Sequence, residues 1–347
     1  MENIVTDIPT TETGALGILH LKRFRNETLR LLDRNRTHKP PEEHNLNKIL
    51  LHGLGIGFTE PNRFLFENKP TYEEFENWIV KTLGGNISPE IIEKTNGQIR
   101  GYLAGNQKEK VYPLSTTIND PVFSKQDMEF WHENGYIVLR EAITQEDAKA
   151  TEAAIWEFTE QNLEDSNTWS GQGYNFWVPM YQHPTFKKNR QSKRIQKAFA
   201  QLWGTEDLVC EINRASMNFP VIPRGFDKSG PSTIHWDISL SQPVTFDLLG
   251  IIYLSDTKEE QGAFQCIPGF HHRIENWLNR LSPDLAPREE ILKEADTALR
   301  IAGKAGDLII CRHELPHGCS VNRGTYPRIC QYISMFPPDF PVNPVWK

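Results

Sequence analysis

The chain has no apolar run approaching about eighteen residues, no C-x-x-C pair, no excess of positive charge and no internal repeat. The first absence excludes a helix long enough to cross a bilayer. The opening "MENIVTDIPTTETG" also lacks the basic start and apolar centre of a secretory signal, so a cytoplasmic location is expected. Five cysteines form an odd set, which argues against a disulfide framework and against a thiolate zinc site; they are expected to be reduced and mostly buried. Lys and Arg number 38 against 45 Asp and Glu, giving a net charge of -7. Such a balance offers no general attraction to phosphate backbones or anionic lipid, so neither nucleic acid nor membrane is an expected partner. What remains is ordinary for a folded protein: 347 residues, 38% hydrophobic and 24% charged, enough to bury a large core.

Residues 1–115 read as a helical N-terminal extension. "ALGILHLKRFRNETLRLLDRN" spaces its leucines and Phe24 as an amphipathic helix. In "KPTYEEFENWIVKTLGG", Thr71 can cap a helix and Gly84-Gly85 can stop it. In "SPEIIEKTNGQIRGYL", Ser88 is an N-cap candidate with Pro89 at the first helical position. None of these segments carries the residues of a catalytic site. Their apolar faces suit packing on a second domain, a lid, or the interface of a homodimer.

A domain start is expected near residue 116. Ser124 can cap a helix that Gly135 ends, "YIVLR" reads as a strand, and Thr144 opens another helix. The aromatic stretch with Trp169, Tyr174, Phe176 and Trp177 suits either a cleft wall or satellite core. From about residue 207, short strands alternate with Gly and Pro turns, as in a jelly roll or barrel. A polar helical insertion interrupts them at about 271–299. The expected fold is mostly β with helices, its β-domain spanning 116–347.

In "STIHWDISLSQ", His235 and Asp237 are two apart, so on a strand they share a face while Trp236 points away. Alone, such a pair is more often structural than metal-binding. A third candidate, His317, lies 82 residues on in "GDLIICRHELPHGCSVNRGTYPRICQY" (317 minus 235), and Arg328 follows 11 residues later (328 minus 317). If the strands on either side of the intervening turn pair, both side chains can face the barrel interior. Two histidines and one carboxylate make the facial set of non-haem iron oxygenases, with coordination positions left open. An inward arginine can take a distant carboxylate bidentately. His271 and His272 follow a Pro-Gly turn and suit a turn-stabilising role, and His313 flanks His317. Arg214 and Arg224 sit near strand ends, where arginines are more often solvated or ion-paired than readers of substrate charge.

Taken in order, "FWHENGYIVL", "HWD", "GAFQCIPGFHHR" and the closing "GDLIICRHELPHGCSVNRGTYPRICQY" resemble the phytanoyl-CoA dioxygenase family over roughly residues 120–340. The resemblance implies a double-stranded β-helix, the jelly-roll core of Fe(II)- and 2-oxoglutarate-dependent oxygenases. It implies that His235, Asp237 and His317 bind Fe(II), and that Arg328 anchors the distal carboxylate of 2-oxoglutarate. Asn218 looks like the family's polar group near the cosubstrate. Many members carry a serine two residues after the distal histidine; this chain has Cys319 there and Ser320 next, and Ser320 is the candidate for that contact. Asp237 disfavours halogenation, since halogenating relatives have a small residue in its place. The implied reaction consumes O2 and 2-oxoglutarate, releases succinate and CO2, and hydroxylates an aliphatic carbon of a small or carrier-bound molecule. Desaturation and cyclisation are variants of the same chemistry, a non-catalytic jelly-roll binding or sensor protein is the rival, and a monomer or homodimer is expected.

Overall fold

A computed structural model describes residues 8–32, 41–105, 110–169, 176–221, 233–341, 343 and 345–347. Tyr174 and Arg224 lie outside the described residues. Among the described residues, no helix is long and apolar enough to cross a membrane.

The chain divides into two compact units. The first holds residues 1–111 with two later segments, 207–212 and 337–344. Its helices are Leu21–Leu32, Pro41–Leu54, Thr59–Asn68, Tyr72–Thr82 and Pro89–Leu103. The expected caps are present: Thr71 and Glu74 form a capping box, and the Ser88 hydroxyl accepts from the Ile91 amide. The first helix begins later than its apolar spacing suggests, because His20 adopts a left-handed backbone (φ 65°) and is wholly buried. Its ring meets Asn47 Oδ1 at 3.0 Å and breaks the helical run there. Phe24, Phe64, Phe75 and Trp78 stack into one aromatic column. The two later segments join by polar contacts: Gln98 donates to Asp207 at 2.8 Å, the Ile212 amide to His52 Nδ1 at 3.1 Å, and Asn45 to the Phe340 carbonyl at 3.3 Å.

The second unit opens on the helix Lys125–Asn134, capped by Ser124 with Asp127. Gly135 ends it with φ 76°, a conformation favourable only to a residue without Cβ. A Cβ there would stand 2.6 Å from His271 Nδ1. The strand Tyr136–Leu139 follows, then a helix Gln145–Thr159 capped by Thr144. Further on, the Gly306-Asp307 turn is held by Asp307, which accepts from the Lys304 and Glu141 amides at 2.9 and 3.1 Å and from Arg140 at 2.6 Å.

Eight of the strands from Ala215 onward fall into two antiparallel sheets, the chain crossing between them at every connection but the one from the fourth to the fifth. In chain order they are Ala215–Asn218, Thr233–His235, Leu248–Tyr253, Phe264–Cys266, Leu299–Ile301, Leu308–Arg312, His317–Cys319 and Arg328–Tyr332. One sheet runs first, eighth, third, sixth; the other runs second, seventh, fourth, fifth. Two interleaved four-strand layers in that order make a double-stranded β-helix. Tyr136–Leu139 and Trp177–Val178 extend the first sheet to six strands. Residues between the fourth and fifth strands form the helical insertion, with helices Ile274–Arg280 and Pro287–Glu290. The interior is packed with Ile234, Ile251, Tyr253, Phe264, Ile309 and Cys330 among others. Cys266, Cys311 and Cys330 are buried, and none of the five cysteines is in a disulfide.

One expectation is corrected. The strands carrying His317 and Arg328 do not pair: the first pairs with the second and fourth strands, the other with the first and third. The turn between them carries the chain from one sheet to the other, as the alternation of this fold requires.

Gly135→Ala is expected to lower the unfolding free energy by about 1–3 kcal/mol, because the left-handed backbone and the His271 ring both oppose a Cβ. Gly84 is also left-handed but has nothing within 4 Å of an added Cβ, so Gly84→Ala is expected to cost less. Urea unfolding of both variants checks this; equal costs would remove the steric part of the argument.

Candidate metal centre

The second strand ends at His235, and Asp237 lies two residues on. Trp236 between them is buried: its indole donates to the Glu314 carbonyl at 3.0 Å and its ring packs on Phe270 and Trp277. With Trp236 anchored on the far side, His235 and Asp237 emerge on the other, each with about half its side chain exposed (48% and 52%). The seventh strand places His317 directly opposite His235 in antiparallel register.

Three donor atoms therefore converge. His317 Nε2 is 3.4 Å from Asp237 Oδ2, His235 Nε2 is 3.5 Å from Asp237 Oδ1, and one ligand atom from each residue lies within 4.8 Å of the others. Among the described residues this is the one such group of His, Cys, Asp or Glu. His317 Nδ1 sits 2.9 Å from the Leu315 carbonyl, a pure acceptor, so Nδ1 carries a proton and Nε2 is the atom turned to the centre, where a proton or a cation can sit. Burial alone would raise the Asp237 carboxyl, but the hydrogen bond from His317 and the charges of His317, His235 and His313 outweigh it and hold it well below the ordinary range. Asp237 is accordingly a carboxylate, as a hard-cation ligand must be.

These residues open on a cavity of about 230 Å³ whose lining includes Arg328. Arg328 reaches it from the opposite sheet and is 1% exposed. One nitrogen, Nη1, donates to Cys330 Sγ at 2.8 Å; Nε and Nη2 are buried without a hydrogen-bond partner among the described residues. Burial works against its charge, while Cys330, Cys319, Tyr332 and Tyr253 favour it, and the net direction is upward. A buried, charged guanidinium with an unsatisfied edge is costly unless an anion occupies that edge. The donor set and the orphaned guanidinium thus fit a cation and a carboxylate in one cavity.

Asn218 and Ser320 stand differently. Asn218 is the Cα partner of Arg328, yet its amide donates to the Ser320 carbonyl at 3.1 Å, and it is not among the cavity's lining residues. The buried Ser320 hydroxyl faces the Glu259 carbonyl at 3.3 Å, while Cys319 lines the cavity. Strand alternation accounts for this, since residues 317 and 319 share a face and 320 does not. The same rule points from Arg328 to Tyr332, which also lines the cavity and which the sequence reading missed. Leu249 and Ile251 of the third strand and Phe264 of the fourth form apolar wall. Phe176 and Trp177 line the cavity; Trp169 instead packs on Phe219 and Trp156. His271 and His272 both turn their Nε2 to the His132 carbonyl, a turn-stabilising arrangement, and the His313 ring stacks 6.0 Å from His317.

A Dictyostelium discoideum protein named after phytanoyl-CoA dioxygenase is 25% identical over 262 residues, covering 60% of this chain and 74% of that protein. Similar solved structures include apo EctD from S. alaskensis, at 19% identity over 68% of this chain and 84% of that one, with a TM-score of 0.48. Another is SnoK, a non-heme alpha-ketoglutarate-dependent carbocyclase from nogalamycin biosynthesis, at 19% identity over 61% and 83% of the two chains, with a TM-score of 0.45. The sequence profile of Phytanoyl-CoA dioxygenase (PhyH) matches residues 131–330, more than half of the chain, and the chain belongs to the phytanoyl-CoA dioxygenase family of Fe(II)- and 2-oxoglutarate-dependent oxygenases.

Proposed function

We propose that this protein hydroxylates an aliphatic carbon of a small or carrier-bound metabolite, with His235, Asp237 and His317 as the ligands of Fe(II) and Arg328 as the anchor of 2-oxoglutarate. The observation that carries the reading is the buried Arg328 edge, unpaired and in the same cavity as the three donors. When bound, Fe(II), 2-oxoglutarate and O2 supply the oxidising chemistry, with succinate and CO2 as coproducts. Everything else falls to the chain's own residues.

His317 is fixed in tautomer and direction by the Leu315 carbonyl, so its contribution to the cation site is set before any cation arrives. His235 and Asp237 are the more exposed donors and form the accessible side of the site. Arg328 orients a dicarboxylate by its far end, leaving the near carboxylate and oxo group toward the donors. Leu249, Ile251 and Phe264 keep water from one wall of the cavity. In this reading the oxygenase domain is 116–347, preceded by a helical extension over 1–115. Asn218, the Cα partner of Arg328, and Ser320 are the further candidate contacts of the cosubstrate in this reading. Five cysteines outside any disulfide suit a reducing, cytoplasmic setting, and the protein works as a monomer or homodimer.

Anaerobic addition of Fe(II) and then 2-oxoglutarate is expected to produce a weak visible charge-transfer band, and Asp237→Ala is expected to bind iron at least about tenfold more weakly. A folded, iron-loaded wild-type protein that gives no band would favour the non-catalytic sensor instead. Arg328→Ala is expected to raise the 2-oxoglutarate midpoint about a hundredfold while iron content holds, since two charge-assisted hydrogen bonds are lost. Arg328→Lys keeps a charge without the fork and should fall between. Equal loss of iron and cosubstrate would mean that Arg328 supports the fold instead of the ligand.

A further inference from the structure

Arg214 immediately precedes the first strand and lines the same cavity, half-buried. Its guanidinium carbon lies 3.8 Å from the centroid of the Trp177 ring, and its backbone carbonyl accepts from the Tyr332 amide at 3.1 Å. Among the described residues no carboxylate or carbonyl meets the guanidinium. A guanidinium stacked by its face keeps its edge available, because the N–H groups lie in the plane. Tyr332 and Phe176 flank Trp177 at 5.3 and 4.7 Å, so the platform under the cation is itself held in place.

The charges around the cavity sharpen the point. Among the described residues of its lining, Asp237 is the one that is acidic, and Arg328 and Arg214 are the two that are always cationic. A divalent cation and a dianionic cosubstrate cancel each other, and Asp237 offsets Arg328. Among the described residues one positive charge is left over, and it belongs to Arg214. Beside it run the apolar side chains of Leu249, Ile251 and Phe264, all buried, which suit a hydrocarbon stretch.

We infer that Arg214 is the specificity-determining residue on the substrate side of the cavity, and that the substrate carries an oxyanion, a carboxylate or a phosphate, on an aliphatic body. The inference rests on the oxygenase reading above, with Arg328 already engaged by the cosubstrate. Stacking on Trp177 restricts the guanidinium before the substrate arrives, so less side-chain freedom is lost on binding.

The test uses the full-length protein loaded anaerobically with Fe(II) and saturating 2-oxoglutarate, probed by calorimetry with hexanoate, hexyl phosphate and hexanamide. The three share a chain and differ in head group. One oxyanion is expected to bind about tenfold more tightly than the amide, the worth of a hydrogen bond to a charged group. A preference for hexanoate assigns a carboxylate, and a preference for hexyl phosphate assigns a phosphate. Arg214→Ala should erase that preference, and Arg214→Lys should keep part of it, while the 2-oxoglutarate midpoint in both variants moves less than about twofold. Equal binding of all three probes, or of none, overturns the inference while the charge-transfer band on loading leaves the oxygenase reading standing. If Arg214→Ala weakens 2-oxoglutarate as much as the probe, Arg214 belongs to the cosubstrate and the inference is likewise overturned. Absence of the band overturns the oxygenase reading and the inference with it.

Discussion

The site depends on one register: His317 opposite His235 in the antiparallel pairing of the seventh and second strands. Residues 82 apart in sequence become Cα partners, and the carboxylate two positions beyond one of them falls within reach of both rings. A slip of one residue along that pairing would turn every side chain to the opposite face and scatter the donors. The pairing is short, three residues a side, so it is not secured by its own ladder alone. Trp236 on one flank and the fourth strand on the other hold it: the indole bonds to the Glu314 carbonyl, and Cys266 is the second Cα partner of His317. Packing behind the sheet therefore fixes chemistry in front of it.

Across the cavity, the opposite sheet contributes charge rather than ligands. Arg328 and Arg214 approach from neighbouring strands of one sheet but stand in different environments. Arg328 is wholly buried and spends one nitrogen on a thiol; Arg214 is half-buried and spends only its face, on an indole. Depth and remaining donors separate the two arginines. Under the proposed assignment, a deep anchor and a shallower selective one suit a reaction that uses one invariant cosubstrate and one particular substrate.

Much of this was legible in the residues. His235, Asp237 and His317 could be picked out because metal chemistry needs those side chains and the strand period puts the first two on one face. Caps at Thr71, Ser88, Ser124 and Thr144 were legible because capping is local. Pairing was less so. Sequence proximity suggested that the strands of His317 and Arg328 lie side by side, whereas sheet alternation sends them to opposite layers, a long-range constraint with no local mark. Cys319 rather than Ser320 lines the cavity, which alternation from His317 would have indicated had it been applied past the ligand. The start of the first helix was missed because a tertiary contact, His20 with Asn47, overrode its apolar period.

The composition of the first unit bears on where the gene could be trimmed. Segments 207–212 and 337–344 belong to that unit. The earlier one runs directly into Asn213 and Arg214, and the later one follows the eighth strand within a few residues of Tyr332. Cutting away residues 1–111 would strip Asp207, Ile212 and Phe340 of the partners that hold them. The loosened stretches would be continuous with the backbone that carries both arginines. Shortening the protein from its N-terminus would thus act on two segments that lie beside Arg214 and beyond Tyr332 in the chain, far from the cut in sequence.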